Sequence, residues 1–487
     1  MFPTLLLLTF FTDSQAATYE YDTDFFLNTS PKWEEMKEFI DNSQQKHKDN
    51  YQQVLSYIEG NDLLKAKTLL DRFLKESPKE SGLYNLQALI QLLNNKDDNA
   101  AKQSYLQAIE LDQSNIDSYI GLARLSIQEN AIGSAEQYIN EALAIDANDV
   151  RALLIKASIF YKQGKESKAE DVLLKSHKYG LVYVELELRI LNVLGKFYVD
   201  INQPEKMLPL SLDAVKRHPN NIKLLLILTG AQLSNNQQDN AEATLRKIIS
   251  LDDKNVSSRL FLARVVGYRP DREQEVLNIM DSVLVVDKKN KKALVLKATL
   301  LTKIKKYKQA LDVASLITQF YPNEVLGKVL AADVYMTEKQ LDKAFDLYRQ
   351  AYKKEASNKI FDQMRKILIA QQKYKRAVAF LQQELEKNNK NIFVRFHLAS
   401  LYQQLHEYDL AEMHYKIVVN EQADNYLALN NLAWLLMLKN DSAAIGLSER
   451  AYTIASKNLS IVDTYGYILI KFGDKRKGLS LLQKAMV

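Results

Sequence analysis

An all-α solenoid of about thirteen helix pairs is the fold predicted for these 487 residues, and three observations predict it. The first is a unit with two apolar stripes, plainest between Lys291 and Pro322. Leu294, Ala298 and Leu301 form one stripe and Ala310, Ala314 and Ile317 the other, each at i, i+4, i+7, the spacing that lines up side chains on one face of a helix. The second is a small residue where the two helices of each unit meet, because a larger side chain there would overpack at a cost of about 1–3 kcal/mol. The third is composition: 14 Gly, 8 Pro, 47% apolar and 26% charged residues describe a helical globular chain with no sign of a sheet.

The small-residue markers run through the chain at Val54, Ala88, Ala123, Ala157, Gly195, Thr229, Ala263, Ala298, Ala332, Arg365, Ala399, Ala433 and Gly466. Successive differences are 34, 35, 34, 38, 34, 34, 35, 34, 33, 34, 34 and 33 residues. In most units a second small residue follows 12 positions later, as Ala135 follows Ala123 and Ala411 follows Ala399. This pattern resembles the tetratricopeptide repeat (TPR) family over residues 47–487. The resemblance implies a right-handed superhelix of antiparallel helix pairs whose first helices line a concave groove. Each pair must bury its stripe against its neighbours, so stability is a sum of repeat and interface contributions. Arg365 and Glu275 stand where small residues are expected, and looser packing is expected in their two repeats.

Ahead of the array, Leu5 to Phe11 is an apolar run followed by Ser14-Gln15-Ala16, which reads as a signal peptide over 1–16 with cleavage after Ala16. No Lys or Arg precedes Lys32, so a true start further upstream is the companion expectation. Residues 17–46 read as an acidic, aromatic leader and a lead-in helix, with Ser30 as N-cap and Pro31 at its first position. Within the array, the 38-residue step into Gly195 and the proline at 209 mark Tyr179 to Pro209 as the place where the superhelix changes twist or hinges. Near the end, ALNNLAWLL (428–436), SERAY (448–452), DTYGYIL (463–469) and KGLSLLQKA (477–485) resemble the terminal repeats of bacterial exopolysaccharide and PEP-CTERM-system TPR proteins. That resemblance implies an envelope setting.

A net charge of +5 makes the whole chain no nucleic-acid magnet. Nine Lys and no acid fall between Lys288 and Lys308, so by subtraction (+5 − 9) the rest is net −4. The run reads either as solvated helix ends or as a docking patch for an anionic partner. With no Cys, there is no disulfide and no lipid anchor on cysteine. His397, His406 and His414 are the nearest histidines to one another and include no i, i+3 or i, i+4 pair, so no metal site is expected. No phosphate loop, dinucleotide fingerprint, nucleophile elbow or zinc-protease motif occurs, and no cofactor or enzymatic role is expected.

With each marker counted as position 8, the TPR resemblance implies that positions 2, 5 and 9 of the first helices face the groove. In the middle of the array these are Arg124, Arg151, Arg189, Lys196, Lys223, Arg264 and Lys292, a set suited to an acidic peptide or polymer unless neighbouring acids pair with them. At the end they are Asn430 and Trp434, then Asp463 and Tyr467, an aromatic surface suited to a peptide side chain or a sugar ring. No repeat has the Lys and Asn pair of a terminal-carboxylate clamp. The expected function is a non-enzymatic interaction scaffold, exported to the periplasm or secreted and serving envelope or exopolysaccharide assembly, with a protein or peptide partner. The alternative is a cytosolic adaptor. No membrane span is expected, and the C-terminal helix is expected to meet a second copy or a partner.

Overall fold

The computed structural model describes residues 48–95 and 97–485; the signal-peptide reading of 1–16 and the leader and lead-in helix of 17–46 lie outside them. These described residues form twenty-six α-helices in thirteen pairs and contain no strand. They divide into two compact units at Lys288 and Lys289.

The first unit holds α1 (Lys48–Glu59), α2 (Leu63–Glu76), α3 (Ser81–Asn95), α4 (Asp98–Leu111), α5 (Ile116–Gln128), α6 (Ile132–Ile145), α7 (Val150–Lys162), α8 (Glu166–Tyr179), α9 (Val184–Asp200), α10 (Met207–Arg217), α11 (Ile222–Ser234), α12 (Gln238–Leu251), α13 (Val256–Gly267) and α14 (Glu273–Val286). The second holds α15 (Lys291–Lys303), α16 (Tyr307–Phe320), α17 (Leu326–Thr337), α18 (Leu341–Lys354), α19 (Asn358–Ala370), α20 (Tyr374–Lys387), α21 (Ile392–Gln404), α22 (Tyr408–Glu421), α23 (Tyr426–Leu438), α24 (Ala444–Ile454), α25 (Leu459–Phe472) and α26 (Lys475–Ala485). Odd-numbered helices are first helices and even-numbered ones second helices.

Local chemistry punctuates these pairs. Asn115, Asp149, Asn221, Asn255, Asn290, Asn391 and Asn425 each cap a first helix by accepting the backbone N–H three residues on, a contact worth about 1 kcal/mol. Seven residues after most markers the chain turns through the left-handed region, at Asn61, Asn130, Gly164, Asn202, Asn236 and Asn440 among others. Twelve of the thirteen marker residues are buried, Arg365 being the half-buried exception.

The uneven steps have separate physical causes. In the Ala263 repeat the left-handed residue is Asp271, eight positions on, so the turn holds one extra residue. The packing position therefore moves to Val276, which is 3% exposed, and Glu275 rotates outward to Arg246 and Arg272. This corrects the expectation of loose packing around Glu275. The Ala88 repeat gains its extra residue in the same turn, and there Ala101 is the buried partner. The 38-residue step is different: α9 has 17 residues where α7 and α11 have 13, an addition of about one turn at its N-terminus that keeps the apolar stripe in phase. Pro209 is the third residue of α10, behind a 3-10 turn at Pro204–Lys206, where a helix requires no N–H donor. The α9/α10 and α19/α20 backbones approach least closely of the thirteen pairs, yet the side chains between them, such as Phe197 and Ala214 in the first and Phe361 and Leu381 in the second, are buried. The second pair is therefore not looser around Arg365, as expected from the sequence, but spaced by larger residues.

At the other extreme, α25 and α26 pack most closely. A Cβ on Gly478 would lie 2.6 Å from the Gly466 carbonyl oxygen, so only two glycines permit this approach. That contact seats α25, which carries Asp463 and Tyr467.

Candidate interaction surface on the first helices

Among the cations of the first unit, Arg151 is claimed within the fold. Its guanidinium donates to Asp117 and, at 2.7 Å, to Asp149. Burial alone would lower the Arg151 pKa, and the two carboxylates overcome it and raise it. Asp117 stands at the same register position one repeat earlier, so the two form a rung between repeats. Arg124, Arg189, Lys196 and Arg264 are half-buried, and each interacts with a neighbour. Arg264 lies 4.5 Å from the centre of the Phe261 ring, and burial lowers its pKa. Lys223 is exposed; Lys292 is also exposed but belongs to the second unit.

The C-terminal residues are arranged differently. Trp434 is half-buried, with one side against the core of the second unit and the other beside Tyr467, ring centres 5.9 Å apart and planes at 46°. Tyr467 is 50% exposed, and Asp463 is exposed with no ion-pair or hydrogen-bond partner among the described residues. Asn430 lies one turn before Trp434; its amide nitrogen donates to Asn431 at 3.4 Å and its oxygen is buried without a partner. Asn85, at the same position 5 in α3, has both ends satisfied, giving to Asn115 at 2.9 Å and accepting from Ser118 at 2.6 Å. The structure therefore places all four C-terminal residues on α23 and α25, leaving Asp463 and Tyr467 exposed and Asn430 and Trp434 half-buried.

Residues 51–116 match the tetratricopeptide repeat family. This stretch carries the tetratricopeptide repeat. No curated protein matches the chain. Among solved TPR-like structures, yeast Tom70 covers 84% of this chain and 99% of its own at 16% identity and a TM-score of 0.37. Naa15/Naa10 bound to HypK-THB covers 83% and 68% at 12% identity and 0.38. A tetratricopeptide repeat protein from Parabacteroides merdae covers 52% and 98% at 16% identity and 0.35.

Following the same register further along the second unit reaches first-helix residues at positions 2, 5 and 9 outside the two sets named from the sequence. Phe393 and Phe396 hold positions 2 and 5 of α21, and both rings meet His397 edge-on, at 4.5 and 5.5 Å between centres. Burial, with Arg365 nearby, pushes the His397 pKa down to about 4. Asp333, at position 9 of α17, accepts from the buried Tyr348 hydroxyl, and burial raises its pKa to about 6. The signal for Phe393, Phe396 and Asp333 is the register itself, since counting positions 2, 5 and 9 in every TPR unit reaches all three.

Away from the first helices, a pocket of about 360 Å³ is lined by Asp239, Glu242, Ala243, Arg246, Arg269 and Arg272. Its charges close on one another: Glu242 accepts from Arg272 at 2.6 Å and Arg246 at 2.8 Å, which holds its pKa down at about 2. With every guanidinium facing a carboxylate, the pocket is an ion-pair network on second helices and their turns. Among the described residues no group of His, Asp or Glu is placed to hold a metal, and no helix is long and apolar enough to cross a membrane.

Proposed function

We propose that the chain is an interaction scaffold that holds a segment of a partner protein against its first helices, with the α23 and α25 surface as the principal contact. The observation that carries this reading is the Trp434 and Tyr467 pair, a half-buried indole beside a half-exposed phenol ring at neighbouring positions of the register. Rigid aromatics supply contact area with little conformational entropy to lose, and such anchors commonly contribute about 2 kcal/mol or more to binding.

Export belongs to the same proposal, serving envelope or exopolysaccharide assembly. It is supported by the apolar run from Leu5 to Phe11, the small residues before Ala16 and the resemblance of 428–436 and 463–469 to envelope-system repeats. N-terminal sequencing of the mature protein tests it: a start at Ala17 agrees, and a start at Met1 contradicts it in favour of a cytosolic adaptor. Self-association through α26 has Leu479, 55% exposed, as its candidate contact. Light scattering of Leu479→Lys beside the unchanged protein decides it, since equal masses for two monomers remove that part.

A photo-cross-linking amino acid at position 467 tests the docking surface against the same group at Leu64 or Val285, second-helix positions that are 78% and 79% exposed. The proposal expects one partner to cross-link from position 467 and not from the other two. Equal yields from all three contradict it.

A further inference from the structure

We propose that the corner between Trp434, Tyr467 and Asp463 receives a cationic side chain, an arginine or a lysine, from the partner protein. This rests on the first-helix docking reading and adds the chemistry of what docks there.

The register builds the corner. Asn430 and Trp434 are four residues apart on α23, and Asp463 and Tyr467 four apart on α25, so each pair occupies one helix face a turn apart. The rings meet at 46°, neither stacked nor edge-on, and form an open angle. An aromatic face carries the negative side of a quadrupole and attracts a cation within about 6 Å of its centre. Asp463 stands one turn before Tyr467 on the same face of α25 and is exposed, so the register brings a carboxylate to the side of the ring pair.

Among the described residues that carboxylate has no ion-pair partner. The whole of α23, from Tyr426 to Leu438, lacks a charged residue. The one basic residue of α25, Lys471, is turned away and donates to the Met437 carbonyl at 2.8 Å. The Trp434 indole N–H makes no hydrogen bond among the described residues, which leaves a donor for a carbonyl oxygen of the incoming chain. Aromatic faces, a donor and a lone carboxylate match a basic side chain extending from a peptide backbone. A neutral sugar stacked on one ring would leave the Asp463 carboxylate without a counter-charge, and that carboxylate favours the cation.

The test uses the full chain with Trp33→Phe, so that Trp434 is the only tryptophan and its fluorescence reports the site. The probes are a glycine–serine peptide carrying several arginines, the same peptide with citrulline in their place, and the neutral sugar chitotetraose. The arginine peptide is expected to bind about tenfold more tightly than the citrulline peptide, with the preference falling as salt rises. Asp463→Asn and Tyr467→Leu, both at exposed positions, are expected to erase that preference without changing the melting temperature. Equal binding of the two peptides overturns the cation proposal and leaves the docking reading standing. Tighter binding of chitotetraose, or no response to any probe, also overturns the proposal. The docking reading is decided separately by cross-linking from position 467.

Discussion

Arg151 on α7 and Asp463 on α25 are charges on the same face of two first helices, and they meet opposite fates. One repeat before Arg151, at the same register position, stands Asp117, and the two pair. One repeat before Asp463, at its register position, stands Asn430, which brings no charge. In a solenoid the face is set by the register, but availability is set by the side chain one repeat away. Positions on such a surface are therefore best read as ladders.

The largest effect that would break this comparison is expected at Arg151. Arg151→Met leaves Asp117 and Asp149 close together and largely buried without their cation, which is expected to cost about 3 kcal/mol in urea unfolding. Partner binding by the variant that remains folded should be unchanged. A loss of affinity without loss of stability would return Arg151 to the docking surface.

A smaller loss is expected where the fold seats the C-terminal surface. Gly478→Ala sets a methyl group against the Gly466 carbonyl, and overpacking of this kind costs about 1–3 kcal/mol. Because α25 must shift to relieve the contact, partner affinity should fall along with stability. A variant as stable as the parent would show that the two helices separate freely.

His397 lies between the two extremes, partly covered by Phe393 and Phe396 and facing Asp362, Arg365 and Lys366. Its pKa is depressed to about 4, so the folded chain holds it neutral while the unfolded chain protonates it near pH 6.5. The stability it contributes is full above about pH 6.5 and is lost as pH falls from there through 4. The melting temperature of the parent should therefore drop more steeply across that window than that of His397→Gln. Parallel curves would mean that the ring is solvated in the native state.

Much of this architecture is legible in the residues alone. The thirteen markers and the Asn or Asp caps stand in the sequence because each packing and capping duty recurs with the repeat. The Asp117 rung to Arg151 is legible too, since the two are 34 residues apart. Glu275 misleads because a single residue added to a turn moves the packing position by one, and a fixed count from Ala263 does not see it. The 38-residue step into Gly195 is legible as a change of length but not as a longer helix, because the count alone does not say whether four residues enter a loop or add about one turn to a helix and restore its phase. Trp434 cannot be divided between core and surface from periodicity alone, because an indole is wide enough to serve both.

Whether the α23 and α25 face binds the partner is decided by measuring Trp434→Ala twice, for affinity to the cross-linked partner and for melting. Affinity is expected to fall at least about tenfold while helical content and melting temperature stay nearly unchanged. A large loss of thermal stability with affinity unaltered in the protein that remains folded would assign Trp434 to the core and overturn the docking surface.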